Sequence, residues 1–199
     1  AIPVGDGHIH FPHPELMDSL VAVMERIGLA RVNLVGVPDL QTINQNPALI
    51  HFKAHHPERA YVCGALDYTQ VWADLARAPE VLAGQIATLR AIGFDGLKLV
   101  EGKPVVRQLL AMPFDGPQYA GMWAALEEQG FPVVFHVADP EEFWDAQRCP
   151  DWARAQGWFY GDGTYPLKED LYAEVGRVLE RHPNLRIVFA HFYFLSADL

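Results

Sequence analysis

The chain has 199 residues, half of them apolar and a fifth charged, which is enough for one domain with a sizeable core. A formal charge of -10 and a pI near 5.3, with basic residues scattered, argue against nucleic acid or an anionic membrane as the main partner. No apolar run approaches the ~18 residues of a membrane span. The two cysteines, Cys63 in an apolar strand pattern and Cys149 in a loop, read as free thiols of a reducing compartment, so the cytoplasm is expected.

Residues 2–11 form a first strand containing Val4-Gly-Asp-Gly-His-Ile-His-Phe11. Residues 14–27 place Leu16, Met17, Leu20, Val21, Met24 and Ile27 at helical spacing, with Gly28 as the stop. Arg31 to Val37 is a β-branched apolar run that fits a buried parallel strand. A polar loop at 41–46 leads to a short helix opened by Pro47 and ending near His55-His56-Pro57. Residues 61–67 are the third strand, 71–78 a helical turn or two, and 79–92 a helix with Val81, Leu82, Ile86, Leu89 and Ile92 in register. Leu97 to Val100 is the fourth strand, 117–129 a helix closed by Gly130, and 132–137 the fifth strand. After a long aromatic loop, 138–166, comes a strong helix over 168–181 and a sixth strand over 186–192. His56 and His182 each precede a proline where a helix gives way to a strand, and the helix dipole favours them there.

Six repeats of strand and helix imply parallel strands joined by right-handed crossovers. An open doubly wound sheet and a barrel both fit. No GxGxxG follows the first strand, so dinucleotide binding is not indicated. Instead, polar residues recur at the C-terminal ends of strands: His8 and His10, Asp67, Lys98 and Glu101, His136, and His191. In a TIM barrel that rim is where chemistry is built. A barrel needs about 250 residues, so six units here leave two out. Ser196 reads as an N-cap with no helix behind it, and the chain is expected to be a piece of a longer protein.

His8 and His10 are two apart and share one face of a strand, an arrangement that suits zinc or another divalent metal. Solvated histidines would be the plain reading of that pair. His136 and His191, each in an apolar strand, could alone be core histidines bonded to backbone. Four histidines at the C-terminal ends of parallel strands point to a shared metal-centred site. Lys98 needs an anion, because lysine is rarely buried unpaired. Glu101, a substrate carboxylate or its own carbamate would each serve, unless Lys98 snorkels to the surface. The 138–166 loop carries Trp144 and Tyr160 among its aromatics and reads as a cap over an organic substrate, or else as a subunit contact or satellite core.

Asp6-Gly-His-Ile-His10, Phe94-Asp-Gly-Leu-Lys-Leu99, Phe135-His-Val-Ala-Asp-Pro140, Tyr160-Gly-Asp-Gly-Thr-Tyr-Pro166 and Phe189-Ala-His191 together resemble the amidohydrolase superfamily, in particular amidohydrolase family 2. The likeness runs from about residue 4 to the end. It implies a TIM-like (β/α) barrel, six of its eight units present, as one domain over 1–199. It implies metal ligands in His8, His10 and His136, with His191 as acid/base or as ligand to a second metal. A zinc, or a manganese, would activate a water against an amide, ester or lactone of a small organic substrate. Lys98, Glu101, Trp144 and Tyr160 are expected at the substrate. The aspartate that ends strand eight in the family has no counterpart here.

Three other readings stand beside metal-dependent hydrolysis. The same site could run a non-oxidative decarboxylation or hydration. A phosphoesterase barrel also opens with HxH, but it would want more histidines and acids mid-chain. A non-catalytic fragment or partner-dependent module, including a homo-oligomer, would use the exposed edges of strands one and six.

Overall fold

The computed structural model describes residues 3–38 and 44–195; Ser196 and residues 41–43 of the polar loop at 41–46 lie outside them. Six strands form one parallel sheet in chain order: β1 (Val4–His10), β2 (Leu29–Val35), β3 (Ala60–Gly64), β4 (Gly96–Gly102), β5 (Val133–Val137) and β6 (Ile187–Phe189). Eight helices accompany them: α1 (Met17–Ile27), α2 (Asn46–His55), α3 (Thr69–Ala73), α4 (Ala78–Ile92), α5 (Pro104–Leu110), α6 (Pro117–Gln129), α7 (Asp151–Ala155) and α8 (Lys168–Arg181). Parallel neighbours in sequence order, each joined through helix, make a barrel arc of six β/α units. The doubly wound alternative would reverse its strand order partway, and this sheet does not.

Alternation along each strand sorts the core into two sides. Leu97 and Leu99 on β4, with Val133, Phe135 and Val137 on β5, join the large apolar cluster under the helices. Val35, Cys63, Val134 and Ala190 point the other way and form a small separate cluster inside the arc. Every residue of β4 and β5 is buried, whereas Val4 to Gly7 on β1 are exposed, as is Val188 on β6. The arc is therefore closed in its middle and open at its margins. On the outside, α4 and α6 pack so closely that a Cβ at Gly121 would stand 2.3 Å from the Pro79 carbonyl oxygen, which only glycine avoids.

Several elements differ from the sequence expectation. The α5 helix lies in a stretch that periodicity leaves unassigned. It is seven residues long, holds two adjacent valines and is closed by Ala111 in the left-handed region (φ 53) rather than by glycine. Strand β3 ends at Gly64, because Asn46 takes both the Ala65 amide (2.7 Å) and its carbonyl (2.9 Å). Strand β6 ends at Phe189, and His191 to Phe194 all have positive φ. Lys168 Nζ and Tyr172 OH on α8 hold that turn through the carbonyls of Phe194 (2.7 Å) and Tyr193 (2.6 Å). Residues 138–166 are not simply irregular. They contain a 3₁₀ turn over Glu141–Trp144 and α7, and they build a core of their own from Phe143, Cys149, Ala153 and Tyr160. His56 and His182 are the C-cap residues of α2 and α8. No helix among the described residues is long and apolar enough to cross a membrane.

Candidate metal centre

Strand β1 brings its histidines inward across a local irregularity. Its register with β2 shifts between Asp6 and Ile9. Asp6 Oδ1 accepts the His8 amide at 2.9 Å, and Asn33 Nδ2 on β2 donates to the Gly7 carbonyl at 3.1 Å. These bonds replace the ladder contacts that the shift removes. The His8 and His10 rings then lie 5.1 Å apart between centroids.

The ends of β5 and β6 meet this pair. The His191 ring is 5.0 Å from that of His8 and 5.0 Å from that of His136. A cleft of about 500 Å³ opens between β1 and β6, with His8, His10, Val134, Val188, Ala190 and His191 on its walls. His136 sits deeper, buried behind His191. Thus the tertiary fold gathers four histidines that are up to 183 positions apart in sequence (191 − 8).

Burial lowers the pKa of all four imidazoles, toward the neutral form. Burial pushes the His8 pKa down to about 3 and the His191 pKa down to about 4, with neighbouring positive charge adding to the effect. His10 and His136 are lowered as well, chiefly by burial. Lys98 is among the charges that lower each of the four. Its ammonium is fully buried on β4 and has no hydrogen-bond partner among the described residues, and burial pushes its pKa down to about 8. His8 Nε2 is a second buried polar atom without a partner.

Buried polar atoms are nearly always satisfied, so two orphans in one region mark a place built for something else. Neutral imidazole nitrogens are the donors that zinc and manganese take. The donor set therefore fits a divalent ion in its chemistry. Among the described residues the side chains do not yet close into a group of three or more that could hold one.

The other expected site residues are placed differently. Glu101 turns away from the histidines. Its Oε1 accepts Tyr68 OH at 2.8 Å, its Oε2 accepts the Val100 amide at 2.6 Å, and Tyr68 is bonded on to Tyr119 at 3.1 Å. Burial raises the Glu101 pKa. Tyr160 is buried and donates to Asp139 at 2.6 Å, while Trp144 Nε1 donates to the Pro166 carbonyl at 3.1 Å. Asp67 is exposed and accepts the Thr69 amide at 2.8 Å, which starts α3. Sequence reasoning missed Asp139, whose Oδ1 lies 3.2 Å from His136 Nε2. Its spacing of three residues from a strand-end histidine was the signal that could have found it.

The sequence matches the amidohydrolase family model over residues 6–196. None of the curated proteins matches it. Among solved structures, 5-carboxyvanillate decarboxylase from Sphingomonas paucimobilis superposes with a TM-score of 0.63 at 14% identity, covering 98% of this chain and 69% of that one. The 5-carboxyvanillate decarboxylase of Novosphingobium aromaticivorans, crystallised with manganese and 4-hydroxy-3-methoxy-5-nitrobenzoic acid, gives 0.61 at 14% identity, over 94% and 64%. The 2,6-dihydroxybenzoate decarboxylase from Rhizobium gives 0.55 at 17% identity, over 94% and 65%. The chain thus spans about two thirds of the length of these proteins, and at such identities the likeness is one of fold.

Proposed function

The chain belongs to the amidohydrolase family, and from that premise we propose that it carries the histidine side of a divalent-metal site used to hydrolyse a small organic substrate. The observation that carries this reading is the cluster of four imidazoles, with His8, His10 and His191 on one cleft and His136 against His191 behind it, and with His8 Nε2 buried and without a partner among the described residues. His8, His10 and His136 would hold the ion. Zinc is the metal the sequence suggests, and manganese is the one found with the Novosphingobium relative. When bound, a divalent ion would supply Lewis-acid polarisation of a substrate oxygen.

The chain's own residues would do the rest. His191 stands on the cleft wall as a neutral imidazole, the form that accepts a proton from a water attacking an ester, lactone or amide carbonyl. Lys98, protonated at neutral pH and unpartnered, would hold an anionic group of the substrate. Residues 138–166 would stand over the site as a cap, with Tyr160 and Trp144 as part of its aromatic packing rather than as bare substrate contacts.

A second reading, non-oxidative decarboxylation at the same residues, is favoured by the orphaned Lys98 ammonium, which suits a substrate carboxylate. The decarboxylases that share the fold support it too. Metal content and manganese affinity of the purified chain, with and without His8→Ala, test the site. About one ion per chain, lost in the variant, is expected; equal metal in both would sink it. Parallel assays on aryl esters and lactones and on carboxylated phenols then separate hydrolysis from carbon dioxide release.

A further inference from the structure

Asp139 lies at the meeting point of three segments, and nothing in the chemistry above assigns it a role. It is buried at 3% exposure. Its Oδ2 accepts Lys103 Nζ at 2.8 Å and Tyr160 OH at 2.6 Å, and its Oδ1 faces His136 Nε2 at 3.2 Å. We propose that Asp139 is a positioning residue that fixes His136 as the Nε2–H tautomer and so leaves Nδ1 as the nitrogen that can bind a cation.

The argument is one of donors and acceptors. An ionised carboxylate can only accept, so the imidazole nitrogen facing it must carry the proton. Two donors already occupy Oδ2, which leaves Oδ1 for the ring. The Lys103 ammonium keeps the carboxylate charged, and it is itself fixed 3.9 Å above the Trp158 ring. A neutral imidazole has one proton, so Nδ1 retains its lone pair. Carboxylates that brace metal-binding histidines in this way set ring orientation and ligand basicity.

The backbone is built to return Asp139 to His136. The chain reverses at Ala138, whose φ is 64. The Ala138 amide bonds the Gly102 carbonyl at 2.9 Å, and a Cβ at Gly102 would stand 2.2 Å from the His136 carbonyl oxygen. Glycine is thus required where the end of β4 lies against the end of β5, in order that Asp139 can turn back. Through Tyr160 and Lys103, the same carboxylate ties the 138–166 segment and the start of α5 to one imidazole. Movement of that segment would be felt at His136.

The cation-binding half of this inference rests on the proposed function, whereas the tautomer does not. The test is long-range proton–nitrogen NMR on the chain labelled with ¹⁵N-histidine and stripped of metal at pH 7.5, with His136 assigned by the signal lost in His136→Gln. We expect His136 to show a protonated Nε2 and a bare Nδ1. In Asp139→Leu, which cannot accept, that preference is lost and manganese affinity falls about 10–100-fold. A His136 with its proton on Nδ1, or with both tautomers equally populated, in the unmodified chain would overturn the proposal even if Asp139→Leu did not fold. So would an unchanged His136 spectrum in a folded Asp139→Leu chain. An unmodified chain that showed the Nε2–H tautomer but took up no manganese or zinc would sink the metal reading and leave the tautomer assignment standing.

Discussion

The helix side of the sheet and its inner face treat buried polar groups in opposite ways. Between the start of α3, β4 and α6, Tyr68, Glu101 and Tyr119 form a chain in which each side-chain oxygen has a partner. On the inner face, His8 Nε2 on β1 and Lys98 Nζ on β4 have none among the described residues. A satisfied buried network rigidifies its surroundings, and an unsatisfied one costs stability that only a ligand can return. The difference separates polar groups that hold the fold together from those that, under the proposed function, would serve a ligand.

The sharpest way to break this comparison is at Glu101. Glu101→Ala would orphan the Tyr68 hydroxyl and the Val100 amide, so a loss of about 2–5 kcal/mol in urea unfolding is expected. A loss near zero would mean the network is not structural. The charge of Glu101 gives a second handle. Burial raises its folded pKa above the ordinary 4.5. A carboxyl shifted that way contributes stability fully present below its unfolded value and lost as pH rises through the folded value. The destabilisation caused by Glu101→Gln should therefore shrink between pH 4.5 and pH 7.5. Growth over that interval would contradict the burial effect.

The inner face should respond in the reverse sense. His8→Ala removes an orphaned nitrogen at the open cleft, so its cost to the metal-free chain should stay within about 1 kcal/mol. Metal uptake, measured on the same preparation, should disappear. A large loss of stability without metal would move His8 to the structural side of the comparison. The smallest effect concerns neither region. Ala111 closes α5 at φ 53, where glycine is unstrained, so Ala111→Gly should raise the urea midpoint by the equivalent of roughly 0.5 kcal/mol. A fall would show that Ala111 is held by packing rather than by backbone geometry.

Much of the fold was legible because it rests on local pattern. The 3.6-residue stripe of 168–181 and the β-branched runs at 31–37 and 132–137 report burial directly, and six alternating units imply parallel strands. The histidines were legible as candidates for the same reason, since an imidazole is conspicuous at the end of an apolar strand. What short-range pattern cannot carry was missed or misplaced. The α5 helix is too short to show a period, and the end of β6 is decided by Lys168 and Tyr172 reaching from α8. Glu101 looked like a site residue from its place after β4, but its partners Tyr68 and Tyr119 are 33 and 51 positions away from Glu101 and Tyr68 respectively.

The sequence by itself determined the six alternating strand and helix units and the four histidines as candidates, because hydrophobic period and residue chemistry are properties of neighbours in the chain; the strand order, which those patterns leave open between a doubly wound sheet and a barrel, was decided by the tertiary structure. Only the tertiary structure decided which polar groups are satisfied. It consumed Glu101 in a tyrosine network, set Asp139 against His136, and left Lys98 and His8 without partners. Hydrogen-bond satisfaction depends on directions and distances between groups far apart in sequence, so no local pattern records it.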